Sequence, residues 1–143
     1  LEGWLKANGV SWADDAMKIV TDGVVGGVGI ISLRSIRSGS VLAQIPKSAV
    51  LSIRNTEIAS LIEKEDLGLD VGLRLAIAYE RARGTRSKWW GYFDSFVHPF
   101  EPLPYLWLED CKLGLIGTDA RDTVEETQSE LSEEYADVIK PLL

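Results

Sequence analysis

Four glycines fall between residues 23 and 29, at Gly23, Gly26, Gly27 and Gly29. Glycine lacks a Cβ, so such a segment suits positive φ or close approach of the backbone to a neighbour. The flanks read as β-structure: Met17-Lys18-Ile19-Val20-Thr21 before the turn, and Ile30 to Ile36 after it. That setting excludes two phosphate-binding loops. A dinucleotide fingerprint needs a third glycine, where Ser32 stands, and a helix downstream. A P-loop needs Gly-Lys-Ser/Thr, which is absent. A structural glycine hairpin and a loop holding some other ligand by its backbone both remain open.

The rest of the chain reads as strands first and helices afterwards, which predicts an α+β fold. Residues 1–12 predict a short helix stopped at Asn8-Gly9. Residues 30–36 and 40–45 predict two strands joined at Arg37-Ser38-Gly39, with Pro46 ending the second and a further strand at Val50-Leu51-Ser52. Asn55 is expected to cap a helix over 56–65. The apolar run from Val71 predicts a buried helix through about Ala82, closed by Gly84. An aromatic helix is expected at 87–97 and a proline-stiffened loop at 98–104. Val124, Leu131, Tyr135, Val138 and Leu142 form a helical stripe ended by Pro141, with Thr118 or Thr123 as cap and Thr123-x-x-Glu126 as a capping box.

At 143 residues and 45% hydrophobic content, one globular domain is expected. No apolar run reaches membrane-spanning length, so no membrane partner is expected. The start, Leu1-Glu2-Gly3-Trp4-Leu5-Lys6, does not read as a signal peptide, and without Met it is expected to lie inside a longer protein. Residues 1–100 carry 12 Lys and Arg against 11 Asp and Glu; residues 101–143 carry 3 against 11. Nucleic acid is a poor partner for that acidic last third. Adjacent acids such as Glu125-Glu126 and Glu133-Glu134 do not converge on a helix and read as a solvated face. Cys111, the lone cysteine, is expected to be a small buried hydrophobe. His98 lacks partners spaced for nucleophilic catalysis and reads as a structural loop residue. The aromatic cluster at 89–96 could cage a methylated ammonium, but core packing is the simpler reading, and Tyr79 and Tyr92 are expected in the core.

An ordered set of segments carries more. Gly27-Val28-Gly29-Ile30 is followed by Arg34-x-Ile36, Gly39, Val41-Leu42 and Ile45-Pro46. Then come Leu75-Ala76-Ile77-Ala78-Tyr79-Glu80-Arg81, Ser87-Lys88-Trp89-Trp90-Gly91-Tyr92, Leu103-Pro104-Tyr105-Leu106-Trp107 and Leu113-x-x-Ile116-Gly117-Thr118. This order resembles the N-terminal portion of SET-domain protein lysine methyltransferases, in the subgroup of the Rubisco large-subunit and ribosomal-protein enzymes. The resemblance spans residues 1–143. It implies an incomplete SET domain, with SET strands and helices over about 1–85 and the start of an inserted helical region over about 86–143. It implies S-adenosylmethionine as cofactor, contacted by Gly26, Gly27, Val28 and Gly29. It implies a protein substrate with a target lysine, whose amine must be neutral to accept a methyl group, and an intracellular setting.

The pattern departs in places. Val97-His98-Pro99 replaces the subgroup's Leu-Pro, and Gly26 stands where some members carry Glu. The family's later Asn-His pair and catalytic-site Tyr have no counterpart, since no Asn follows Asn55. No catalytic residue is therefore assigned and no metal is expected. The chain alone is expected to be inactive, with the remaining C-terminal part of the same protein as its partner. A non-catalytic SET-like binding module and an unrelated small α+β domain are the alternatives.

Overall fold

The protein's structure is a computed structural model that describes residues 1–22, 27–96 and 103–142. The chain falls into two units, 1–98 and 99–143.

The first unit opens with helix α1 (Glu2–Ala7). Its end is a Schellman motif: the Gly9 N–H donates to Lys6 C=O at 3.1 Å and the Val10 N–H to Leu5 C=O at 3.0 Å. Gly9 has φ 75°, which explains why a glycine stands there. Among the described residues four short strands follow: β1 (Ser11–Trp12), β2 (Met17–Val20), β3 (Gly29–Ser32) and β4 (Ala43–Gln44). They pair as two antiparallel ribbons. In β2–β3, Met17 faces Ser32 and Val20 faces Gly29; in β1–β4, Ser11 faces Gln44 and Trp12 faces Ala43.

This pairing corrects the expected hairpin between residues 30–36 and 40–45. The turn at 37–39 forms, with Ser40 N–H on Arg37 C=O and Gly39 at φ 82°, but the strands beside it do not pair with each other. β3 takes β2 as partner across the glycine turn, and β4 returns to β1. The strand expected at 50–52 does not form either. The Asn55 side chain accepts from Ser52 N–H at 2.8 Å and donates to Val50 C=O at 2.7 Å, occupying groups a ladder would need. Asn55 thus builds a turn and is not the helix cap. Helix α2 starts later (Ala59–Lys64), with Ile58 at the cap position.

Helix α3 (Leu69–Ala82) lies between Gly68 and Gly84, both at positive φ. Its buried residues are Gly72, Ala76 and Glu80, spaced four apart along one line. Within the apolar run from Val71, Leu73 is 37% and Tyr79 39% exposed, so the helix is not buried all round as that run suggests. Gly72 has a packing reason: a Cβ there would meet Ile62 Cγ2 at 2.8 Å and Ile53 Cγ2 at 3.3 Å. Helix α4 (Trp90–Phe93) is a single turn within the expected aromatic segment. Gly91 lets α1 close on it, because a Cβ there would lie 2.8 Å from Trp4 Cβ. The Trp4 ring centroid sits 5.7 Å from Trp89 and 5.8 Å from Tyr92, and Tyr92 meets Phe96 edge-on at 4.9 Å. Trp89 and Phe93 are buried, whereas Tyr79 and Tyr92 are each 39% exposed and only partly in the core.

The second unit contains α5 (Glu109–Lys112) and α6 (Asp119–Glu134). A π turn over Tyr135–Ile139 and a 3₁₀ turn over Lys140–Leu142, which includes Pro141, follow α6. Thr118 occupies the cap position, but its hydroxyl donates to Leu115 C=O at 2.7 Å. Thr123 lies inside the helix and donates back to Asp119 C=O at 3.2 Å, so the expected capping box does not form. Val124 is buried, while Tyr135 in the middle of the stripe is exposed. Cys111 is exposed, which corrects its expected burial: it sits on one-turn α5, too short to cover it. His98 and most of the expected loop at 98–104 lie outside the described residues.

Candidate functional site

Gly27, Val28 and Gly29 stand at the start of β3 in the antiparallel β2–β3 pair. Gly27 has φ 70°, a conformation that costs an L-residue about 1–2 kcal/mol. Gly27 and Gly29 are half-buried and Val28 is 40% exposed. Gly29 opens β3 opposite Val20, so the ladder reaches the turn. Gly26 lies outside the described residues. The structure thus brings Gly27, Val28 and Gly29 together, with no side chain at 27 or 29 to block backbone approach. That suits a group held by main-chain atoms.

The far end of the β2–β3 pair is fixed as well. The Leu33 N–H donates to Ala16 C=O at 2.8 Å, and Ser32 Oγ to Arg34 C=O at 2.7 Å. Arg34 pairs with Asp15 at 2.7 Å. The Arg34 hydrogen bond and charge hold the Asp15 carboxyl below its usual range. Both groups are exposed, so this pair orients more than it stabilises.

A polar cluster that the apolar reading of α3 passes over lies elsewhere in the unit. Glu80 is fully buried. One carboxylate oxygen accepts from Thr56 Oγ1 and Glu57 N–H, each at 2.9 Å, and the other from Ser87 Oγ at 2.7 Å. Arg83 lies 3.9 Å from Glu80 and pairs with Glu57. Burial opposes the charge, but the Glu57 N–H, the two hydroxyls and Arg83 outweigh it and hold the Glu80 carboxyl below the ordinary range. The signal was present in the sequence as one acid inside an apolar helical run. The cluster joins α3, the 52–57 turn and the Ser87 loop, and the hydrogen bonds on both carboxylate oxygens mark Glu80 as an internal brace.

Among the cavities away from the turn, two stand in the first unit beside α3. One, of about 400 Å³, is lined by Ile53, Arg54, Ile62, Glu63, Asp66 and neighbours. The other, of about 390 Å³, has only apolar and aromatic residues in its walls, Leu5, Ile45, Val50, Leu73 and Trp89 among them. Among the described residues no group of three His, Cys, Asp or Glu side chains is placed to hold a metal ion, and no helix is long and apolar enough to cross a membrane.

No protein-family model matches the chain. Individual proteins do. It is 30% identical over 147 residues to N-lysine methyltransferase setd6 of Xenopus tropicalis, covering 98% of this chain and 32% of that protein. It is 28% identical to N-lysine methyltransferase SETD6 of Homo sapiens, covering 85% and 27%. Ribosomal lysine N-methyltransferase 4 of Schizosaccharomyces pombe is 27% identical, with 82% and 25% covered. Among solved structures, Rubisco LSMT bound to sinefungin and monomethyllysine superposes with a TM-score of 0.76 at 23% identity, over 98% of this chain and 33% of that one. The SET domain of LSMT bound to lysine and AdoHcy gives 0.73 at 24% identity, over 98% and 32%. The α+β fold is therefore that of part of a SET domain. The chain spans between a quarter and a third of the length of these relatives. Over that third, the chain is a homologue of SET-domain protein lysine methyltransferases.

Proposed function

We propose that this chain is the N-terminal portion of an S-adenosylmethionine-dependent protein-lysine N-methyltransferase, and that it supplies one wall of the cofactor site. The observation that carries the reading is the match along 98% of the chain to a lysine methyltransferase. The start of β3 supports the location: Gly27 at φ 70° and Gly29 offer main chain without side chains. S-adenosylmethionine, when bound, supplies an electrophilic methyl group. The backbone of Gly26, Gly27, Val28 and Gly29 would hold it, and the pinned far end of the β2–β3 pair would keep that wall in place.

The substrate is a protein lysine, and its amine must lose its proton, from an ordinary pKa of about 10.4, before it can attack. No residue of this chain is assigned to that chemistry. Residues from about 86 onward are read as the start of an inserted helical region, and the remaining C-terminal part of the same protein completes the site. The test is transfer of a radiolabelled methyl group from S-adenosylmethionine to lysines of bulk cellular protein. The longer protein should label them and residues 1–143 alone should not. Absence of transfer by the longer protein would overturn the reading.

A further inference from the structure

Every residue of β3 is at least partly exposed: Gly29 is half-buried, and Ile30, Ile31 and Ser32 are exposed. Strand register is weakly specified where no face is buried and glycine stands in the strand. Burial therefore does little to fix β3 against β2. The observed register runs from Val20 opposite Gly29 to Met17 opposite Ser32. Carried two places further, it sets Leu33 opposite Ala16 and Arg34 opposite Asp15. Both pairs are made. The Leu33 N–H donates to Ala16 C=O at 2.8 Å, and the Arg34 guanidinium meets the Asp15 carboxylate at 2.7 Å. The ion pair continues the register past the last rung of the ladder. Asp15 stands on a fixed bend, because the Ala16 and Met17 N–H groups both donate to Ala13 C=O at 2.9 Å. A slip of β3 by two residues, which keeps its faces, would set Arg34 opposite Ala13 or Met17 and break the pair.

We propose that Asp15 and Arg34 are positioning residues for the cofactor wall: their ion pair selects the β2–β3 register that places Gly27, Val28 and Gly29 where S-adenosylmethionine is held. The inference rests on the methyltransferase reading above and deepens it by naming what aligns that site. A two-residue slip moves the glycine backbone about 7 Å along β2, out of reach of a group held by main-chain atoms. Opposite charges directly across a strand pair favour their register, and like charges there oppose it. The Arg34 hydrogen bond and charge hold the Asp15 carboxyl below its ordinary range, so the pair is ionised at neutral pH. A ligand that binds one register alone has its apparent affinity reduced by the fraction of molecules in that register. A pair too exposed to add much stability can therefore still set cofactor affinity.

The test is binding and turnover of S-adenosylmethionine by the longer protein, with bulk cellular protein as methyl acceptor. Arg34→Asp sets two carboxylates face to face and should weaken calorimetric affinity for the cofactor at least about 3-fold. The KM for S-adenosylmethionine should rise as much while kcat stays within about twofold of the parent, because saturating cofactor draws the strands back into register. Asp15→Arg combined with Arg34→Asp rebuilds the pair in reverse and should restore affinity and KM to within about twofold. Asp15→Lys repeats the loss should Arg34→Asp fail to fold. Parent affinity in both single variants, a fall in kcat at unchanged KM, or a loss that the reversed pair leaves unrestored would each overturn the proposal. A parent protein that binds no S-adenosylmethionine sinks the cofactor reading and the positioning role together. A parent that binds, with variants that bind equally, sinks the positioning role alone.

Discussion

The hydroxyl of Ser87 donates to Glu80 Oε2 at 2.7 Å, on a carboxylate with no exposed surface. The same Ser87 oxygen accepts the Trp89 N–H at 3.0 Å, so the buried acid and the buried indole are fixed through one atom. Glu80→Ala removes the acceptor of two hydroxyls and one backbone N–H and takes a charge from beside Arg83. It should cost about 3–5 kcal/mol in chemical denaturation, the scale for stranding buried partners. Glu80→Gln keeps the shape and should cost about 1–3 kcal/mol. An effect below about 0.5 kcal/mol for Glu80→Ala, the scale of an ordinary surface substitution, would remove the brace from the account.

The same group sets an acid limb on stability. Glu80 has its folded pKa depressed, so its contribution is complete above the unfolded value of about 4.3 and is lost as pH falls through the folded value. The stability gap between the native protein and Glu80→Gln should therefore be constant from pH 7 to about 5 and shrink below about 4. A gap that widens on acidification would contradict the sign of the shift.

Gly91 and Trp4 make a second testable pair. A Cβ at 91 would lie 2.8 Å from both Trp4 Cβ and Cδ1, and the Trp4 indole N–H donates to Lys88 C=O at 2.7 Å. Gly91→Ala should push α1 off α4 and cost about 1–3 kcal/mol despite the better helix propensity of alanine. Tryptophan fluorescence should shift red as Trp4 is displaced, and an unchanged spectrum at unchanged stability would count against the contact.

Gly72→Ala is the matching test inside α3. Its methyl would press on Ile62, itself buried, at 2.8 Å. The propensity gain of about 1 kcal/mol should be outweighed, so the variant should melt lower than the parent. A higher melting temperature would mean that α2 yields easily.

The sequence was most readable where local chemistry decided the outcome. Gly9 and Gly84 closed their helices as glycines at positive φ do, and the apolar run around Ala76 became a helix. It was least readable where partners had to be chosen. Residues 30–45 offered a hairpin across Gly39, but β3 and β4 found β2 and β1 instead, which no local propensity specifies. Asn55 had the chemistry of a cap and was used for a turn by the same hydrogen-bonding capacity. Glu80 was hidden by its apolar neighbours, because its partners Thr56 and Ser87 lie 24 and 7 residues away. For the candidate site, the glycine turn was visible as a turn, and only the ordered segments downstream linked it to a methyltransferase.

The central claim is that the start of β3 is one wall of the S-adenosylmethionine site, and calorimetric titration of the longer protein with that cofactor tests it most directly. The native protein should bind, and Gly27→Val, a β-branched residue forced to φ 70°, should bind at least about 10-fold more weakly while melting within a few degrees of the parent. No heat at millimolar S-adenosylmethionine, or equal affinity in the folded variant, would contradict the account.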